Sequence, residues 1–364
     1  MSSERPYRLA WYGCDLRTGG IVEDLPSLKT PQLSRRLGQA TTAQFDLQLG
    51  GAPADWASAT APGRSALVAV DTVTDTPIWA GSLLRRTRGA AHTAQLSCAT
   101  LESYLDRRYT GTLALTGLDQ ASVIAAVTTN ILTNGPPFTI DAPSIGVTMD
   151  YSVLDSDDKT ILSALDEIMG LDGGPEWTVD VEWADAAHTK FQFPLRVRSA
   201  IGTQSPQPEA TFDFPGTIVD YTQDESYEDG KGATAVVARG EGEGESRLSS
   251  SNYIATDLLA GGWPMYVHRY SPASGLTDPA QLNAHAAQAL GLMATGASTW
   301  AVTALASQAP RLGVDWGLGD TVRIEIAPGI SPGHSEGASV VARAWAWELD
   351  VNADQITPVL VEEA

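Results

Sequence analysis

The sequence predicts a β-rich α+β chain. Three observations predict it. Short period-two apolar stretches separated by turn residues fill residues 7–100, the same pattern returns from Thr211, and helix-period stripes are confined to the segments between and after. In the first stretch the alternation predicts strands at Tyr7–Cys14, Gln44–Leu49, Ala66–Val73, Ile78–Arg85 and Ala94–Cys98. Thr18-Gly19-Gly20, Gly50-Gly51 and Thr76-Pro77 supply turn chemistry between them. Short, evenly spaced strands of this kind predict a barrel or sandwich, closed by a short helix over Leu101–Tyr109.

The period then changes. Asp119 is placed to cap a helix from Gln120 to about Leu132, with Val123, Ile124, Val127 and Ile131 on one face and Pro136-Pro137 as its stop. The acidic residues 155–158 suit the start of a second helix, whose stripe is Ile161, Leu162, Leu165, Ile168 and Met169. A Gly-Gly-Pro break follows, then alternating strands at Glu176–Trp183 and Phe191–Val197, so this middle unit reads as α/β. Further strands are predicted at Thr211–Phe214, Ile218–Thr222, Ala233–Arg239, Met265–His268, Thr299–Ala306, Thr321–Ile326, Ala338–Leu349 and Ile356–Val361. One Ala-rich helix from Pro279 to about Ala294 interrupts them, behind Asp278 and with proline at its first position.

Composition limits the function classes. At 364 residues with 43% apolar content, the chain has material for two to four ordinary modules. No apolar run approaches the ~20 residues that span a bilayer. The start, MSSERPYRLAWYG, lacks the apolar segment of a signal peptide, so synthesis and folding in a cytoplasm are expected. Cys14 and Cys98, the two cysteines, lie in strand-like apolar contexts and read as buried free thiols. Lysine occurs only at 29, 159, 190 and 231, so arginine carries the positive charge; with abundant Ala and Gly this points to a GC-rich genome. Residues 1–115 hold 12 Lys and Arg against 10 Asp and Glu, whereas the remainder holds 11 against 34. Such a surface does not grip nucleic acid. It suits either simple solubility or a wall that DNA passes without sticking.

Each motif of chemical interest has a plain competing explanation. Gly333-His334-Ser335-Glu336-Gly337 matches the G-x-S-x-G nucleophile elbow, which needs a strand before it and a helix after it. Pro328, Gly329 and Pro332 break the approach, a strand pattern follows, and no histidine comes after His334, so a hairpin loop is expected. The five histidines, at 92, 188, 268, 285 and 334, show no metal-ligand spacing. Asp155, Asp157 and Asp158 lack the regular spacing and glycine of a calcium loop. Gly240, Gly242 and Gly244 alternate with glutamates, which a phosphate cradle would not tolerate; they read as a mobile loop. Trp177 and Trp183 read as core. Arg85, Arg86 and Arg88 with Arg107 and Arg108 form the one basic concentration, either a solvated rim or a docking face for an acidic neighbouring subunit. No catalytic, cofactor-binding or metal residue is assigned.

Three segments carry a resemblance. The first is the β-rich start ending LSCATLESYLDRR; the second is DKTILSALDEIMGLDGGPEWTVDVEW; the third is VDWGLGDTVRIEI followed by VVARAWAWELD. Together they resemble the tail-hub proteins of bacteriophages, often called minor tail or baseplate hub proteins. FDFPGTIVDYTQDES with ATAVVARGEGEGE is similar to the form in phages of GC-rich actinobacteria. The resemblance implies two small β-barrels with inserted α/β modules: residues 1–110 as the first barrel, 111–200 as an α/β module, 201–244 with 297–364 as the second barrel, and 245–296 as a helical and loop insertion. It also implies a structural, non-enzymatic virion protein at the tail tip. Three copies would form a ring that closes the tail tube, with DNA only in transit. Partners would be the distal tail ring, the tape-measure protein and a tip fibre or receptor-binding protein, with no cofactor. Many such proteins continue into enzymatic extensions; this chain stops at Ala364, so a fused lysin is not expected. The rival readings are a receptor- or carbohydrate-binding tip protein, the hub of a contractile injection system, and a hydrolase using Ser335.

Overall fold

The computed structural model describes residues 7–362 except 31, 172, 273–277 and 309. Strand dominates, at 44% against 16% helix, as the alternating patterns predict. The chain divides into two compact units, Met1–Tyr221 with Val302–Leu360, and Thr222–Ala301 with Val361–Ala364.

The first unit opens with a seven-stranded sheet, curled into a half-barrel. Its spatial order is Ile21–Asp24, Leu9–Asp15, Ser65–Asp71, Thr76–Thr87, Thr93–Thr100, Thr42–Gln48 and Leu28–Lys29, with antiparallel neighbours throughout. Register shifts at Gly13/Cys14, Ala69/Val70 and Leu83/Arg85 are bulges that bend the strands and help the sheet curl. Thr42–Gln48 alternates strictly, burying Ala43, Phe45 and Leu47 and exposing the residues between. Phe45 meets Trp11 and Trp79 at centroid distances of 5.3 and 5.7 Å, so large rings fill the concave side. Ser65–Asp71 is buried at every position because both its faces are covered. Leu67 and Ala69 are buried on one face; Ala66, Val68 and Val70 on the other join the core of the α/β segment.

That α/β segment has Asp119 capping its first helix through Ala121 N at 3.0 Å. The helix is α-helical over Gln120–Thr128 and tightens to a 3-10 turn over Thr129–Leu132. Ile161–Met169 forms as the stripe predicts and buries Ile161, Ala164, Leu165 and Ile168. Two expectations need correction here, and one strand is new. The helix predicted over Leu101–Tyr109 is a single turn, Glu102–Leu105; its first residue has no side-chain cap, and Tyr109 instead bridges Thr160. The strand predicted over Glu176–Trp183 divides into Glu176–Val179 and Glu182–Trp183. Asp180 N still donates to Pro194 O at 2.9 Å, but proline has no N–H to return the bond. Phe138–Asp141, not predicted, pairs parallel with Phe193–Arg196.

A second sheet runs in the order Thr211–Phe214, Thr321–Ile326, Ala338–Asp350, Gln355–Val361, Ala297–Leu305 and Ile218–Ser226. Leu33–Arg36 leaves the N-terminal segment and pairs with Ala346–Leu349 of this sheet. Three arginines, each bonded to residues far away in sequence, tie the first unit together. Arg343 donates to both carboxylate oxygens of Glu176, at 2.6 Å to Oε1, and to the carbonyls of Gly319 and Ile201 at 2.9 and 2.7 Å. Arg35 reaches Asp180 at 3.0 Å, Thr178 Oγ1 at 2.9 Å and Val179 O at 2.6 Å. Glu102, 3.7 Å from Arg35, is buried, and that burial pushes its carboxyl up.

Arg311 clamps Asp71 at 2.5 and 2.8 Å and lies over the Tyr7 ring at 4.6 Å. Burial alone would raise Asp71, but the Arg311 guanidinium and the Val73 N–H outweigh it and hold the carboxyl below its usual range. A carboxylate with a depressed folded pKa contributes stability above its unfolded pKa, about 3.9, and loses it as pH falls through the folded value. Asp71→Asn is therefore expected to lower the melting temperature at pH 7, with the gap from wild type narrowing below about pH 4. Melting curves of both proteins over pH 3–7 check this.

In the second unit, Ala235–Ala238 pairs antiparallel with Tyr253–Ile254 and parallel with Val267–Tyr270. The family resemblance implies a place for this segment in a second barrel; the segment forms a separate three-stranded sheet. The reason is its partner: Val236 and Ala238 share a small core with Leu282, Ala286 and Met293 of the helix Pro279–Met293. Asp278 caps that helix through Ala280 N at 2.8 Å. The strand predicted over Met265–His268 sits two residues later, because the Tyr266 carbonyl already accepts from Thr234 N and Ala235 N. Among the described residues, no helix is long and apolar enough to cross a membrane.

Candidate functional site

Ser335 lies in the turn that joins Thr321–Ile326 to Ala338–Asp350, two antiparallel strands of one sheet. No helix follows it, so the strained strand-to-helix elbow that would present a nucleophile is missing. His334 turns its Nδ1 to the Tyr221 hydroxyl at 3.0 Å. The groove beside this turn, about 500 Å³, is lined by Asp213, Glu325 and Glu336 among apolar and small residues. Asp213 is already occupied by Thr217, which donates from both its N–H and its hydroxyl at 3.0 Å.

The other sequence candidates are also absorbed locally. Asp155–Asp157 is a 3-10 turn; Asp157 accepts from Leu154 N at 2.9 Å, and Asp158 takes a left-handed conformation. Among the described residues, no group of three or more His, Cys, Asp and Glu is arranged to hold a metal. The Gly240–Gly244 segment forms a hairpin loop, closed by Gly240 N donating to Leu248 O, by Leu248 N donating to Glu241 O, and by the Arg239–Ser249 bridge. Trp177 is fully buried. Trp183 is half-buried, stacks on Phe191 and His188 at 4.2 and 4.4 Å, and donates to Asp75 O at 2.9 Å. Cys14 and Cys98 are buried free thiols, and burial pushes both up, which disfavours the thiolate a nucleophile needs.

The basic concentration divides in two. Arg86 is held from below by the carbonyls of Ala57 and Thr60, at 2.6 and 2.7 Å, and lies over the Trp56 ring at 5.4 Å. Arg88 lies over the same ring at 5.9 Å and is exposed, as is Arg85. The bulge between Leu83 and Arg85 inserts Leu84 as the extra residue and leaves it 53% exposed. Arg85, opposite Ser97, lies on the other face of the strand from Arg86, opposite Leu96, and so from the Trp56 ring with its two guanidiniums. Arg108, by contrast, is spent on the Tyr104 hydroxyl and the carbonyls of Asn130 and Thr133.

A second surface, on the other unit, has no periodic signature in the sequence. Trp263, Met265, Tyr266 and Val267 are 41–54% exposed in one short run. Tyr227 touches both Trp263 and Tyr266 at centroid distances of 5.2 Å. The only sequence signal is the string Gly-Gly-Trp-Pro-Met-Tyr, apolar residues that neither period explains.

Among the described residues no catalytic group is assembled, which leaves the fold as the main guide to function. A tail protein from Neisseria meningitidis MC58 superposes with a TM-score of 0.60 and 13% identity, over 99% of this chain and 97% of that one. The chain has the fold of a phage tail protein. The 43 kDa tail protein of prophage MuSo2 from Shewanella oneidensis gives a TM-score of 0.59 at 9% identity, over 97% of both chains. A chain of the lidded PdpA–VgrG complex from Francisella gives 0.54 at 7% identity, over 97% of this chain and 52% of that one. No protein-family model and no curated protein matches the sequence. The tail-protein fold therefore extends from end to end of this chain, with identity too low to carry residue roles across.

Proposed function

We propose that the chain is a structural tail-hub protein, three copies of which form a ring closing the distal end of a phage tail. The carrying observation is the end-to-end likeness to the two tail proteins, with nearly equal chain lengths on both sides. In this reading the seven-stranded half-barrel and the second sheet are the two barrels that face a distal tail ring above. The tape-measure protein and a tip fibre or receptor-binding protein are the other partners. The acidic balance after residue 115 supports DNA transit through the ring without retention. The hub of a contractile injection system is a second reading, favoured by the likeness to the Francisella chain. Native mass measurement of the purified chain is expected to give three times its 38.4 kDa. A monomer at every concentration would overturn the ring.

A further inference from the structure

A cavity of about 590 Å³ opens on the first unit where four segments meet. Its walls are the turn that follows Leu9–Asp15, the loop at Gly63 and Arg64, the single helical turn at Tyr104, and the loop from Asn134 to Pro136. The backbone fixes the first two walls against each other, because Leu16 N donates to Arg64 O at 2.8 Å. Arg17 reaches the far wall and donates through Nη2 to Asn134 Oδ1 at 2.6 Å. Its other guanidinium N–H groups make no hydrogen bond among the described residues. Arg64 has its side chain 80% exposed, and its Nε is 3.7 Å from Asp15 Oδ2, beyond hydrogen-bond range. Asp15 is the one carboxylate among the described lining residues. Its Oδ1 is taken by the turn itself, accepting from Arg17 N, Thr18 N and the Thr18 hydroxyl at 3.1, 2.9 and 3.0 Å. Two guanidiniums therefore share the cavity with one carboxylate that the turn already uses. The Tyr104 hydroxyl accepts from Arg108 at 2.8 Å, which leaves its own hydrogen to donate. Leu16 and Pro136, both buried, add apolar lining.

We propose that this cavity binds a carboxylate side chain carried on an extended acidic segment of a partner protein. Guanidinium groups bind carboxylates through charge-assisted, often paired hydrogen bonds. Arg17 and Arg64 supply those donors from two neighbouring segments, and the Tyr104 hydroxyl supplies a neutral one. The apolar lining suits the methylene stem of a glutamate, and the volume admits the side chain with a short stretch of its backbone. The chain after residue 115 carries 34 Asp and Glu against 11 Lys and Arg and repels a long polyanion, so a short acidic peptide is favoured over nucleic acid. In the hub reading the occupant belongs to a neighbouring tail protein; the site and its test need no ring.

Fluorescence anisotropy of a fluorescein-labelled hexaglutamate peptide, titrated with the full chain, tests it. The net charge of -21 repels this peptide overall, so saturable binding has to come from a local site. The titration is run in about 0.1 M salt, where exposed charges more than about 10 Å apart are largely screened. Arg64→Glu is expected to weaken binding by about tenfold or more, because a like charge then replaces a donor. Arg17→Gln, which keeps a donor for Asn134, is expected to weaken it less. Arg8→Glu makes the same charge change as Arg64→Glu at an exposed arginine about 20 Å along the strand from Asp15, and is expected to leave binding unchanged. Labelled hexaglutamine is expected not to bind. Arg8 and Arg64 are exposed, so both variants are expected to fold, and circular dichroism verifies it. A wild type without saturable binding overturns the proposal, as do equal losses for Arg64→Glu and Arg8→Glu, or hexaglutamine binding as well as hexaglutamate. Displacement of the peptide by an equal concentration of single-stranded hexathymidylate overturns the acidic-protein occupant in favour of a phosphate chain. None of these results touches the ring, whose own test is the native mass.

Discussion

Arg343→Met is expected to destabilise the first unit by about 3–5 kcal/mol, the cost of leaving a buried partner charge uncompensated. The Arg343 and Glu176 side chains are 4% and 12% exposed, so water replaces little of the lost pair. The loss is not confined to Glu176. The carbonyls of Gly319 and Ile201 also lose their donor, at about 1–3 kcal/mol for each group left unsatisfied. Arg343 belongs to the second sheet and Glu176 to the α/β segment, so the change acts where residues 167 apart in sequence meet. The double change Arg343→Met with Glu176→Leu removes both charges and is expected to recover much of the loss. Urea unfolding of the three proteins gives the comparison. An Arg343→Met loss below about 1 kcal/mol would mean that the pair is solvated like a surface bridge.

Gly319→Ala is the second large effect, and its cause is steric. Gly319 has φ +88°, and a Cβ there would lie 2.3 Å from the Ile201 carbonyl oxygen. Gly202 is its mirror, at φ +81° with a Cβ 2.3 Å from the Gly319 carbonyl carbon. Two backbones are pressed together with no flexible side chain to give way. Forced left-handed backbone costs about 1–3 kcal/mol and overpacking a further 1–3 kcal/mol, so a total near 3 kcal/mol or more is expected. Gly63→Ala separates the two causes. Gly63 has φ +71° but open space around its Cβ position, so it is expected to show only the backbone part. Equal losses for Gly63→Ala and Gly319→Ala in thermal or urea melts would contradict the close contact.

Both sites show what local sequence conveys and what it does not. Thr211–Phe214 and Thr321–Ile326 are strands with the boundaries the alternation predicts, because pattern and pleat share a period of two. Asp119 and Asp278 cap helices where capping chemistry places them. Ser335 falls in a hairpin turn because Pro328, Gly329 and Pro332 leave the chain little else to do. Leu33–Arg36 is different. It is too short to announce itself, and its partner at Ala346–Leu349 is more than 300 residues away. Arg35, Arg311 and Arg343 read as ordinary arginines until the fold brings Asp180, Asp71 and Glu176 to them. Phe138–Asp141 directly follows Pro136-Pro137, whose sequence signal is that of a helix stop. The Trp263 surface escaped because exposure of an apolar run is a property of the folded unit and has no periodic signature.

The central claim is that this chain is a structural part of a tail, located at its tip. Immunogold electron microscopy tests it most directly, with antibody to this chain on particles from the organism that encodes it. The account predicts label confined to the distal tip of the tail. Label absent from every particle would contradict it.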